Sequence, residues 1–183
     1  MDLNQLILDA SSRIKPFIRK TNFCHSETFS KLLDGEVYFK LENQQFTGSF
    51  KARGALNKIL TINDAVKSIR SVISASTGNH GAAVAYAARQ ANIECNIYVP
   101  KGSSKAKLSK MKSYGANITI FGNDCVEAEA KARDLSDKKL IPYVSPYNDF
   151  HIVAGQGTMG IEIKSQIEEL DAIIISLGGG GLM

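Results

Sequence analysis

The order of apolar runs along this chain restricts its fold more than any other feature. Short stretches rich in β-branched residues recur at 36–42 (EVYFKLE), 71–76 (SVISAS), 94–100 (ECNIYVP), 117–122 (NITIFG), 140–144 (LIPYV) and 172–178 (AIIISLG). Between them lie segments of helix-forming composition: SFKARGALNKIL, TGNHGAAVAYAARQ, SSKAKLSKMKSYG, DCVEAEAKARDLS and IVAGQGTMGIEIKSQIEEL. Strand and helix patterns that alternate in this way specify parallel strands joined by crossover helices. The expected fold class is therefore α/β, with open twisted parallel sheets covered by helices on both faces. Two helix ends carry clear punctuation. Gly115 in KSYGAN suits a left-handed C-terminal cap, and Asp124 in GNDCVEAEA suits an N-cap ahead of an alanine-rich helix.

Composition narrows the function. With 44% hydrophobic and 22% charged residues the chain reads as globular, sized for one or two small domains. Its 22 basic and 18 acidic residues leave a charge of +4, but the lysines are dispersed, which argues against a nucleic-acid surface. Cys24, Cys95 and Cys125 form no C-x-x-C pair and have no histidine at ligand spacing, so reduced thiols and no metal are expected. The opening MDLNQLILDASSRI reads as an amphipathic helix rather than a secretory leader or membrane span. A cytoplasmic location is expected.

Ligands of open α/β sheets gather at the carboxyl ends of strands, and three glycine-bearing turns are placed there. In FTGSFKARGA (46–55), Lys51 stands in the first turn of a helix behind Gly48 and Ser49, in position to be an amine nucleophile. In SASTGNHGAA (74–83) a strand turns into a helix, aiming the N–H groups of Ser76, Thr77, Gly78, Asn79 and His80 at a carboxylate or phosphate. In SLGGGGLM (176–183), Gly178, Gly179, Gly180 and Gly181 let the backbone approach a phosphate without intervening side chains. Taken singly, each has an ordinary explanation as a packing turn or a solvated lysine. Together they supply an amine, an anion nest and a phosphate loop, the parts that hold pyridoxal 5'-phosphate and an amino acid. A dinucleotide site fits poorly, because neither glycine turn matches G-x-G-x-x-G with a downstream acid.

The stretches ENQQFTGSFKARGA, ASTGNHGAAVAYAA, VAGQGTMGIEI and GGGGL, in this order and at these separations, resemble the fold-type II pyridoxal-phosphate enzymes of tryptophan synthase β-like fold. Within that group the likeness is to the threonine and serine dehydratases and the related serine racemases, and it runs from about Thr21 to Met183. The resemblance implies that Lys51 carries the cofactor as a Schiff base, that Phe50 packs beside its ring and that Asn79 bonds its 3′-oxygen. Gly178, Gly179, Gly180, Gly181 and Leu182 would cradle the phosphate. Ser76, Thr77, Gly78, Asn79 and His80 would receive the substrate carboxylate. It also implies a division into a large-domain N-terminal part (1–65), an inserted small α/β domain (66–148) and the start of the second large-domain part (149–183).

The implied reaction is β-elimination from L-threonine or L-serine to a 2-oxo acid and ammonia. Racemases of this group carry serine at the position of Thr77. Threonine keeps the hydroxyl but adds a methyl and a stiff χ1, which favours elimination over racemisation. Family members continue well beyond the glycine loop, so the chain reads as truncated, with residues 172–178 as a central strand apolar on both faces. Two alternatives follow: serine racemase-type activity, or an inactive domain that keeps only the fold. An amino-acid substrate and a homo-oligomer are the expected partners, with no nucleic acid and no membrane.

Overall fold

The structure is a computed structural model that describes residues 2–183. Helices and strands run in the order α1 (Leu3–Ile14), β1 (Phe23–His25), α2 (Glu27–Leu33), β2 (Tyr38–Lys40), α3 (Lys51–Ala65), β3 (Ser71–Ala75), α4 (Asn79–Gln90), β4 (Glu94–Val99), α5 (Lys105–Ser113), β5 (Ala116–Ile120), α6 (Cys125–Lys139) and α7 (Phe150–Lys164). The fold is α/β, as the alternating pattern requires.

The main sheet is parallel and ordered β3-β4-β5, with Val72 opposite Cys95 and Ile97 opposite Ile118. On the central strand β4, Cys95, Ile97 and Val99 are buried while their neighbours are not, the two-residue period of a pleated strand. Helices α4 and α6 both pack on β3 and β4, so the sheet is covered on both faces. The alanines of α4 serve this position. Ala82, Ala83, Ala85, Ala87 and Ala88 are all buried, because the helix is pressed against both the sheet and α3. The expected helix punctuation is present: Asp124 Oδ1 accepts the Glu127 N–H at 2.9 Å, and Gly115 takes φ +93° just beyond α5.

A second layer joins α3 and α7, which cross backbone to backbone. A Cβ added to Gly155 would lie 2.6 Å from the Arg53 carbonyl oxygen and 2.6 Å from Gly54 Cα. At this crossing Arg53 is fully buried. Its guanidinium donates to both Glu42 oxygens at 2.9 and 2.7 Å and to both Glu162 oxygens at 2.8 and 3.0 Å. Burial opposes the charge on Arg53, but these bonds more than offset it and its pKa is raised. Lys40 completes the cluster with a 2.6 Å bond to Glu162. Four charges thus tie β2, the turn at Glu42–Gln44, α3 and α7 into one unit directly behind Lys51.

Three expectations are corrected. The run 36–42 contracts to β2, which pairs antiparallel with β1, a strand absent from the sequence reading because three residues show no period. The run 140–144 contributes only a single parallel bridge, Tyr143 to Ile73; Pro142 lacks the N–H that a longer ladder needs. The run 172–178 is not a strand. Ile174 and Leu177 are 97% and 71% exposed, and among the described residues no neighbouring strand offers it a ladder. Apolarity marks a segment that gains by burial, whereas a strand also needs a backbone partner.

Candidate active site

Lys51 opens α3, with Phe50 as the N-cap residue. The chain reaches it through Gly48, whose φ of +75° favours glycine. The side chain is half-buried and Nζ donates a 2.6 Å hydrogen bond to the Pro146 carbonyl, while lying 5.2 Å from the centroid of the Phe50 ring. Burial disfavours the ammonium form and lowers the Lys51 pKa below its ordinary value. Just ahead, Thr47 Oγ1 and Ser49 Oγ are buried hydroxyls without a hydrogen-bond partner. Buried polar groups are normally paired, so two orphans beside a half-buried amine mark a place where polar ligand atoms fit.

The second turn sits at the carboxyl end of β3. Gly78 caps α4 with no side-chain hydrogen bond to the first helical amides, which leaves those N–H groups free for an anion. Asn79 is exposed at the mouth of a cavity of about 180 Å³ lined by Gly78, Asn79, Ala82, Lys107 and Lys110. Lys110 also donates to the Thr47 carbonyl at 2.9 Å, tying α5 to the turn that carries Lys51. Ser76 Oγ accepts the Gly78 N–H at 3.2 Å. Ser76 and Thr77 line a smaller neighbouring cavity of about 50 Å³. His80 turns inward. Its Nε2 lies 3.0 Å from the Val144 carbonyl and therefore carries the proton that bonds it. Burial, with a smaller push from the Lys51 charge, lowers its pKa to about 4, so the imidazole is neutral near pH 7. Only the backbone N–H of His80 is in a position to serve the anion nest.

The glycine loop has two sides. Gly178 and Gly180 have open space where a Cβ would stand. A Cβ on Gly179 would run into Tyr147 Cδ1, and one on Gly181 would lie 2.9 Å from Tyr147 Cα. Gly180 takes φ +79°, its carbonyl accepts the Met183 N–H at 3.2 Å, and Leu182 is partly buried.

All three turns converge on residues 144–147. The Val144 carbonyl accepts Ser74 Oγ at 2.9 Å as well as His80, Pro146 receives Lys51, and Tyr147 backs the glycine loop. Sequence reasoning missed this segment, together with Lys107 and Lys110. A signal was available, since Ser145-Pro146-Tyr147 follows the apolar run 140–144, which reads from sequence as a strand, and the carboxyl ends of strands are where ligands gather.

A family profile described as "Pyridoxal-phosphate dependent enzyme" matches residues 14–183. The chain belongs to this family. Among similar members, the catabolic L-threonine dehydratase TdcB of Staphylococcus aureus is 41% identical over 178 residues, 97% of this chain and 51% of that protein. The serine racemase of Dictyostelium discoideum is 37% identical over 177 residues, 97% of this chain and 54% of that protein. The crystal structure of a pyridoxal 5'-phosphate-dependent aspartate racemase superposes with a TM-score of 0.93 at 36% identity, covering 98% of this chain and 56% of that one. The chain thus spans about half the length of the relatives it matches. The family cofactor is pyridoxal 5'-phosphate, and the residues present fit it: a half-buried amine of lowered pKa, uncapped helix amides, orphaned hydroxyls and a loop whose side chains are excluded. No helix among the described residues is long and apolar enough to cross a membrane.

Proposed function

We propose that this chain provides the amine and the anion-binding turns for β-elimination from L-threonine or L-serine, releasing a 2-oxo acid and ammonia. The observation that carries the reading is Lys51: a half-buried amine of lowered pKa at a helix start, bonded to the same short segment that backs the glycine loop. Pyridoxal 5'-phosphate, when bound, supplies the electron sink that stabilises negative charge at the substrate α-carbon.

The chain's own residues divide the remaining work. Gly178, Gly179, Gly180, Gly181 and Leu182 hold the phosphate, while Phe50 and Asn79 hold the ring. The N–H groups of Thr77, Asn79 and His80 orient the substrate carboxylate at the positive end of α4, whereas those expected of Ser76 and Gly78 are already held by the Tyr98 carbonyl and by Ser76 Oγ. Lys51 Nζ takes the α-proton; desolvation keeps more of it as free amine near neutral pH than a surface lysine would have. The neutral His80 adds no competing charge beside it. Residues 1–65 and 149–183 belong to a large domain in this reading, and 66–148 to a small one.

A second reading, racemisation, draws support from the racemase relatives. It requires Thr77 to exchange a proton on the opposite face, where its methyl and stiff χ1 crowd the approach. The two separate in one experiment: L-threonine or L-serine is supplied with pyridoxal phosphate, and the 2-oxo acid and the D-amino acid are quantified per bound cofactor. The elimination reading expects the 2-oxo acid to form faster. Faster formation of the D-amino acid overturns it.

A further inference from the structure

We infer that the Tyr147 ring is the template on which the glycine loop takes its phosphate-binding shape, which makes Tyr147 a positioning residue for the cofactor phosphate; this rests on the cofactor reading above. Four consecutive glycines form a poor site by themselves. Each loses backbone entropy on being fixed, and glycine loses more freedom than any other residue. Something must hold the loop before it binds. The alternation of contacts shows what does. The virtual Cβ of Gly179 falls on Cδ1 of Tyr147 and 2.5 and 2.8 Å from its Cγ and Cε1, so the ring lies directly against the backbone at 179. That of Gly181 falls 2.9 Å from both Cα and Cβ of Tyr147. Gly178 and Gly180 meet nothing within 4 Å. One side of the loop is therefore seated on Tyr147 and the other is open to a ligand.

Tyr147 is itself anchored. Val144 is fully buried, Pro146 fixes its own φ, and Ser145 Oγ accepts the Asn148 N–H at 3.1 Å. The Pro146 carbonyl receives Lys51 Nζ at 2.6 Å. One dipeptide thus touches both the amine that bonds the cofactor's carbonyl end and the loop that holds its phosphate end, and it sets the spacing between them. The contact uses the ring rather than the hydroxyl, so phenylalanine should replace tyrosine.

The test compares pyridoxal phosphate with pyridoxal, which lacks the phosphate, in absorbance titrations of the unmodified chain and of Tyr147→Phe, Tyr147→Ala and Gly179→Ala. Circular dichroism checks that each variant is folded. Expected is a preference of the unmodified chain for the phosphorylated form, retained in Tyr147→Phe. In Tyr147→Ala that preference falls by about tenfold or more, with pyridoxal affinity and borohydride labelling of Lys51 by pyridoxal unchanged. Gly179→Ala, which displaces the same contact from the other side and keeps the ring, should show the same loss even if Tyr147→Ala fails to fold. The inference is overturned if both folded variants keep the full preference, or if pyridoxal affinity falls in parallel. If the unmodified chain shows no preference for the phosphate, the cofactor reading itself fails and the inference fails with it.

Discussion

The Lys51 amine and the Pro146 carbonyl oxygen lie 2.6 Å apart, joined across 95 positions of sequence. The bond aims Nζ at the segment that supports the glycine loop, and the burial that accompanies it makes the charged form of Lys51 costly. Since burial penalises the ammonium and not the free amine, Lys51 should lose its proton at lower pH than solvated lysines. Reductive ¹³C-methylation followed by NMR titration is expected to show one lysine signal shifted towards lower pH and absent in Lys51→Ala. A Lys51 signal that titrates with the surface lysines would contradict this.

His80 ties stability to pH. Burial lowers its folded pKa to about 4 from the ordinary histidine value of 6.5. Above the unfolded value both states are neutral and the protein has its full stability. As pH falls below it the unfolded chain takes up a proton that the folded one refuses, and stability drops by about 1.4 kcal/mol per pH unit until the folded pKa is reached. Urea midpoints should therefore decline between about pH 6.5 and pH 4. His80→Gln, which keeps an N–H donor for Val144, should flatten that part of the curve. An unchanged slope in the variant would show that other groups cause it.

Two glycines of α7 should respond in opposite directions to the same substitution. Gly155→Ala places a methyl 2.6 Å from Arg53 O and Gly54 Cα, backbone atoms that cannot step aside, and is expected to cost about 1–3 kcal/mol. Gly160 has nothing within 4 Å and sits inside the helix, so Gly160→Ala should stabilise by about 0.5–1 kcal/mol. Thermal melts of the two variants check this. Equal effects would contradict the close crossing of α3 and α7.

What was legible in the sequence follows from how local each signal is. Strands β3, β4 and β5, the cap at Asp124 and the turn at Gly115 each declare themselves within a few residues, and all are found. The pairing of β1 with β2 depends on segments some fifteen residues apart and too short to show a period. Residues 172–178 show the opposite failure, a strong local pattern without a ladder partner. At the site, Asn79 stands at a strand-to-helix turn and Lys51 at a helix start, both legible from chain order, and the glycines are legible from their run of four alone. The contact of Tyr147 with the loop is tertiary, and four identical glycine letters conceal that one faces its ring, one faces its Cα and Cβ, and two face open space.

Arg53 is the residue whose loss should be felt most widely. Arg53→Met would leave Glu42 and Glu162, 11% and 14% exposed, facing each other with only Lys40 to compensate. Removing one partner of a buried ion cluster costs about 3–5 kcal/mol, and the urea midpoint should fall accordingly. A loss below about 1 kcal/mol would place the cluster with ordinary surface pairs.

Borohydride reduction in the presence of pyridoxal phosphate, followed by peptide mapping, asks directly whether Lys51 is the cofactor lysine. The structure predicts a dominant label on the peptide that contains Gly48, Ser49, Phe50 and Lys51, and its disappearance in Lys51→Ala. A label spread evenly over the lysines, or concentrated at another position, would contradict the assignment.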